Sequence, residues 1–377
     1  EIAGRDNRPV RHALAVLVIV GAGCLLFYKS IPFHGTLMYT DMTWPSSMER
    51  VTFQVANSWS PYGSYPTTNY LMSFFWIYPS SMLARLIGLT APQYMLLTFV
   101  ATFALGGVSM YALAYHTIRR IDLPGNVKSA AFIGSVFAAL IYMYNPWSLQ
   151  YFRPYFAYPT YAAMPLLFLA LIKTLDSPSL RNLMLFSMFL TLVNTSYLVY
   201  WTWGILVTYL VFHLASNRFT PDVVKSTLKA AAWIVVFYAA FNMLWLLPSA
   251  LSVLTGKPFL PFYAPGFNPD WLRSFSANNT ILNNLRLVSN WEWHLDQLGW
   301  GLPFEVLTFA IPVLSILALV LLRKKIARSR VISYWAIVAT AGLLLATGTS
   351  SFLRGPYNYM AFNAPGSGAF GWTLRAP

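Results

Sequence analysis

Residues 91–117, APQYMLLTFVATFALGGVSMYALAYHT, contain no Asp, Glu, Lys or Arg. A helix over them is about 40 Å long, more than the ~30 Å hydrocarbon core of a bilayer. No water-soluble domain needs so long an uncharged stretch, and it does not stand alone. Comparable runs cover 12–30, 128–145, 158–175, 180–196, 198–216, 226–250, 303–322 and 331–349. Only 10% of the chain is charged, against about 25% in ordinary soluble domains. The runs are continuous rather than alternating, which selects helices over the strands of a membrane barrel. The expected fold is therefore all-α, a polytopic transmembrane helical bundle of about nine spans. Segment 69–89 is apolar too, but Pro79 divides it into pieces that suit helices lying at the membrane interface.

Charge sets the expected orientation. The net charge of +14 does not point to nucleic acid, because the cations sit in short loops between apolar runs. Arg5, Arg8, Arg11, Arg119, Arg120, Lys128, Lys173, Arg181, Arg218, Lys225, Lys229 and the cluster Arg323–Arg330 fall on one side if the N-terminus is cytoplasmic. The longer segments 31–90, 251–302 and 350–377 then lie outside, with Asp41, Glu49, Asp270, Glu292, Asp296 and Glu305. A multi-pass plasma-membrane protein whose working face is extracytoplasmic is expected. The single cysteine, Cys24, lies within the first run and can form neither an internal disulfide nor a cysteine metal site. The chain starts at Glu1 and stops at Pro377, so it reads as the N-terminal part of a longer transmembrane domain, with first (31–90) and second (251–302) large outer loops.

The lack of GxxxxGK[ST] argues against nucleotide-driven pumping by this stretch, and HExxH and CxxC are lacking as well. His12, His116 and His213 sit near helix ends, where headgroups or helix C-termini suit them better than a metal. In YTDMTWPSSMER, residues 39–50, "SSME" predicts a capping box. Ser46 caps a helix over about 47–57 and Glu49 reaches back to it. Asp41 lies beyond capping range, so two readings stand: a loop aspartate in a local turn, or a carboxylate facing a substrate at the membrane surface. Trp44, Trp59 and Tyr62 share its loop and suit either sugar stacking or the interfacial aromatic belt. NWEWHLDQLGW, 290–300, groups Glu292 and His294 with Asp296, as a polar site or as the rim of a surface helix. Arg153, in YNPWSLQYFRPYFAYP, can hold a lipid phosphate bidentately or snorkel to the interface. Lys257, Arg273, Arg286 and Arg354 are outer cations with the same two uses.

The order of these features resembles the GT-C superfamily of membrane glycosyltransferases. TDMTWP places an acid just after the first helix. The loop that follows carries helical segments at 47–57 and 69–89. YMYNPW at 142–147 with YAAMPLLFLAL at 161–171 is similar to the third and fourth helices of that group. Within the superfamily the chain looks most like the D-type arabinofuranosyltransferases, and GAFGWTLRAP at 368–377 resembles their aromatic–Arg–x–Pro element. The acid that other branches place beside the first one is lacking in TDM.

The resemblance implies a polyprenyl-phosphate sugar as donor and a cell-envelope glycan or glycoprotein as acceptor. Asp41 would be the base, Arg153 and Arg354 would hold the donor phosphate, with Arg375 as a further cation, and Trp44, Trp59, Tyr62, Glu292 and His294 would contact substrate. Some members hold a divalent cation, Mg or Mn, at the first-loop acid; here one carboxylate would have to serve, and no other cofactor is implied. Two other classes compete: a transporter or lipid-carrier flippase, and a catalytically silent scaffold of the same architecture. A transporter places ionisable side chains near the bilayer midplane, whereas the acids here fall outside the apolar runs or at their ends.

Overall fold

The computed structural model of the chain describes residues 8–28, 47–56, 74–121, 127–150, 158–193, 198–254, 269–288, 301–326, 329–350 and 352–363. Among them every regular element is helical.

The expectation of about nine spans is corrected. Among the described residues, four helices are long and apolar enough to cross a membrane by length and composition: Pro9–Leu26 within α1 (Arg8–Leu26), α4 (Ala91–Ile118), α7 (Tyr158–Asp176), and Pro221–Leu247 within α10 (Pro221–Leu254). Five other helices carry shorter apolar stretches among the described residues, Ser129–Tyr144, Leu180–Thr191, Trp201–Ser216, Glu305–Leu321 and Arg330–Ala346, of 10–17 residues each. They belong to α5 (Val127–Tyr144), α8 (Leu180–Thr191), α9 (Leu198–Ser216), the pair α13 (Gly301–Thr308) and α14 (Ala310–Leu321), and α16 (Arg330–Ala346). The run at 180–196 gives a helix that stops at Thr191. The run at 303–322 divides at Phe309, where Phe309 N–H reaches back only to Val306 O, and Pro312 sits in the first turn of α14, where no intrahelical N–H is needed.

The first-loop helices also depart from expectation in detail. α2 (Met48–Ala56) forms, but Ser47 caps it: its Oγ accepts from Arg50 N–H at 3.3 Å. With Ser47 as cap the third helical position is Arg50, so Glu49 is one residue too early to close a box. It is exposed in the first turn, where its charge favours the helix N-terminus. Pro79 does not split its segment; α3 runs through it, Phe74–Leu86. Ser80 Oγ donates to Trp76 O at 2.6 Å and Ser81 Oγ to Tyr78 O at 3.0 Å, so hydroxyls bond carbonyls of the turn that the proline disturbs. Helix α3 ends at Gly88, with φ 76°, where Leu89 N–H reaches Ala84 O. Thr90 and Gln93 then close a reciprocal capping box that starts α4.

Three apolar clusters hold these helices together. In the first, Ile19 of α1, Phe103 of α4, Met143 of α5 and Tyr158 of α7 are buried together. α1 can approach because α4 has a glycine there: a Cβ on Gly107 would lie 2.2 Å from Met143 Sδ and 2.6 Å from Ile19 Cγ2. His12 is drawn into this contact rather than to headgroups; its Nδ1 lies 2.6 Å from the Tyr111 hydroxyl. In the second, Phe168 of α7 meets Tyr209 of α9 at 4.7 Å and Trp335 of α16 at 4.7 Å, and stacks on Tyr334 at 5.7 Å. The third joins Met48 and Val51 of α2, Ile77 and Ala84 of α3, and Ala91 and Tyr94 at the start of α4.

The bundle has two unlike ends. At one, Arg120 beyond α4 pairs with Asp176 closing α7, and Arg330 opening α16 bonds Asn217 just after α9. At the other lie α2, α3 and the short helices between residues 269 and 285.

Candidate functional site

The far end of α16 carries a polar layer. It consists of α11 (Pro269–Ser276), α12 (Ile281–Leu285), α13, a 3₁₀ turn Gly348–Ser350 and α17 (Arg354–Asn358). Thr280 caps α12 by accepting from Asn283 N–H at 3.1 Å. The helix stops in a Schellman turn, with Val288 N–H on Asn283 O and Leu287 at φ 59°. A leucine in the left-handed region costs roughly 1–2 kcal/mol, so tertiary contacts must hold the turn. They do so through Arg286. This side chain is only 5% exposed. Its Nε donates to Thr308 Oγ1 at 2.8 Å, its Nη2 lies 3.5 Å from Glu305 Oε1, and the guanidinium stands 4.1 Å over the Phe309 ring. Glu305 is half-exposed, so a buried cation is only loosely balanced by a carboxylate open to ligand or solvent.

The rest of the layer is tied by hydroxyls. Ser276 Oγ accepts from Thr349 N–H at 3.2 Å, and Ser350 Oγ donates to Asn279 O at 2.7 Å. Tyr357 is buried beside Leu272 and Ala361, and burial pushes its hydroxyl well above the ordinary tyrosine range, so it stays a neutral donor. Two buried atoms, Thr349 Oγ1 and Asn358 Oδ1, have no hydrogen-bond partner among the described residues. Leaving such groups unpaired costs roughly 1–3 kcal/mol each.

Arg354 opens α17 within this layer and is exposed. It is the one residue of the sequence-based site that falls among the described residues. Asp41, Trp44, Trp59, Tyr62, Arg153, Glu292 and His294 lie outside them, as do Lys257 and Arg375. Arg273 lies 3.9 Å from Asp270 in an exposed pair. Arg286 was grouped with the other outer cations by sequence. Its special position depends on Thr308, which is 22 residues away, and only the Thr280 cap just before it hinted at an ordered turn.

The two motifs on which the family resemblance partly rested come into contact. Asn145 caps a short helix α6 (Pro146–Gln150), its Oδ1 accepting from Ser148 N–H at 2.9 Å, and Pro146 needs no N–H there. Asn145 Nδ2 donates to the Tyr161 hydroxyl at 2.9 Å. Tyr142 and Tyr161 stack at 4.1 Å, and each hydroxyl donates to the other residue's carbonyl, at 2.7 and 2.9 Å. Tyr144 donates to Ala22 O, tying α5 to α1. This latch fixes both ends of the connection that carries Arg153.

Among the described residues no group of three or more His, Cys, Asp or Glu side chains could hold a metal ion. No protein-family model, no curated protein and no solved structure matches this chain.

Proposed function

We propose that the chain is a membrane glycosyltransferase that takes a polyprenyl-phosphate sugar and moves the sugar to a cell-envelope glycan or glycoprotein. The observation that carries this reading is the polar layer. Buried Arg286, unpartnered Thr349 Oγ1 and Asn358 Oδ1, and exposed Arg354 are gathered at the end of the bundle away from the Arg120–Asp176 pair. Hydroxyls and an anionic leaving group are the ligands such a set suits. Asp41 is the base: a carboxylate ionised near neutral pH accepts the acceptor's hydroxyl proton as positive charge develops at the sugar carbon. Arg153 and Arg354 stabilise the departing lipid phosphate. Trp44, Trp59, Tyr62, Glu292 and His294 line the substrate path.

A transporter reading is less well supported. Every acid among the described residues, Glu49, Asp176, Asp222, Asp270 and Glu305, lies in a short helix or at a helix end, not at the middle of a long apolar one. The deciding experiment compares wild type, Asp41→Asn and Arg354→Gln in membranes supplied with lipid-linked sugar, at matched expression. Asp41→Asn should abolish transfer, and Arg354→Gln should lower it roughly 10²–10³-fold, as for loss of one charge-stabilising donor. Undiminished transfer by Asp41→Asn would remove that residue from the mechanism. Sugar or lipid uptake by proteoliposomes without transfer would replace the enzyme with a carrier.

A further inference from the structure

The end of the bundle opposite the polar layer is strongly basic, and three helices distant in sequence bring its cations together. Arg119 and Arg120 close α4, Lys173 lies in the last turn of α7, and Arg330 opens α16. Their backbones are fixed by the aromatic cluster below them. Phe168 is five residues before Lys173 on α7 and stacks on Tyr334, one helical turn after Arg330 on α16. Tyr334 and Thr208 of α9 hydrogen-bond at 2.8 Å, which holds the third wall.

The charges around this rim are unbalanced. Asp176 is engaged by Arg120 at 2.9 Å. Arg119, Lys173 and Arg330 are exposed and have no ion pair among the described residues. All act on groups near the Arg120–Asp176 pair: His116 feels Arg120, Lys173, Asp176 and Arg119, while His213 feels Arg330 and Asp176. His116 Nε2 is buried with no hydrogen-bond partner. Gathered cations repel one another unless an anion comes between them. The helix flanks beside the rim are apolar and exposed, as at Leu14, Leu17, Leu228 and Val235, which places the rim at the level of headgroups if those flanks meet lipid.

We propose that this rim is a binding site for an anionic phospholipid, with Arg119, Lys173 and Arg330 surrounding its headgroup phosphate. The Arg119 guanidinium can take two phosphate oxygens, Arg330 keeps N–H groups beyond the Nη1 that donates to Asn217, and the lysine adds a point charge. Their long aliphatic stems lie along the apolar flanks while the charges reach the headgroup. The inference is independent of the transferase reading, whose site is at the other end.

The test uses the full chain purified in neutral detergent, titrated with short-chain phosphatidylglycerol or phosphatidylcholine, with the unfolding temperature as readout. Phosphatidylglycerol should raise it at far lower concentration than phosphatidylcholine, and inorganic phosphate at equal ionic strength should not compete. Arg119→Gln, Lys173→Gln and Arg330→Gln should each weaken the phosphatidylglycerol effect about fivefold, and together about a hundredfold. A control removes the same charge elsewhere at this end, by Lys225→Gln, Lys229→Gln and Arg323→Gln. It should retain most of the preference, and each variant's unfolding temperature without lipid reports on folding. Equal loss in the control overturns the site in favour of diffuse surface charge. Equal stabilisation by both lipids overturns it outright, and competition by inorganic phosphate overturns a lipid as its ligand.

Discussion

Helices α7 and α10 are both long and apolar enough to span, yet they occupy opposite environments. Two thirds of α7's spanning window, 67%, is buried inside the protein, against 17% for α10. Helix α7 packs Phe168, Leu167 and Ile172 against α4, α8, α9 and α16, and it buries Thr160 and Thr174 with their hydroxyls on carbonyls. Along α10, Trp233, Val235, Val236, Met243 and Leu247 are all exposed. Apolar content therefore marks a span but not its neighbour. In lipid there is no hydrophobic gain from packing one apolar helix on another, so small, hydroxylated and aromatic side chains that fit and bond decide which helix becomes the central one.

The largest test of that contrast is truncation of one apolar side chain on each helix. Phe168→Ala should cost about 3–5 kcal/mol, because it empties a fully enclosed site, whereas Val235→Ala should stay within about 0.5 kcal/mol. Both are read as denaturation midpoints in detergent, and similar losses would mean that α10 is as enclosed as α7. Next comes Gly107→Val, whose added carbons collide with Met143 and Ile19; about 1–3 kcal/mol of overpacking is expected. Gly204→Ala on α9 meets nothing within 4 Å and should be nearly neutral by the same assay. If Gly107 tolerates valine, α1 does not pack against α4 as described. The smallest effect belongs to Asp176→Asn at the end of α7. Its pair with Arg120 is about half-exposed on both sides, so the loss should stay under about 1 kcal/mol and shrink further in high salt. A loss of several kcal/mol that salt leaves unchanged would place the pair inside the protein rather than at its rim.

Much of the helix layout was legible because it follows local rules. The apolar runs gave helices close to their expected positions. Gly88, Thr90 and Gln93 write the α3–α4 hairpin in consecutive letters, and Asn145–Pro146 is a readable cap. The errors share one cause. Pro79 looked like a break because its missing N–H is local, while the serine hydroxyls and the α2 contact that compensate for it are not. Ser46 and Ser47 are chemically equal as caps, and only the packing of Met48 and Val51 chooses between them. The count of spans failed because run length in sequence does not report where a helix stops, as at Thr191, or where it divides, as at Phe309.

The candidate sites divide along the same line. The sequence by itself determined that the described residues are helical, that several helices are apolar enough to suit lipid, and that cations and polar loops are segregated along the chain, because composition and hydrophobic period act residue by residue. Only the tertiary structure decided that Arg286 is buried against Thr308 and Phe309, that Arg120 pairs with Asp176 and Arg330 bonds Asn217, and that α7 rather than α10 is the central helix. Each of those depends on groups far apart in the chain, whose meeting is set by which surfaces fit and which polar atoms find partners.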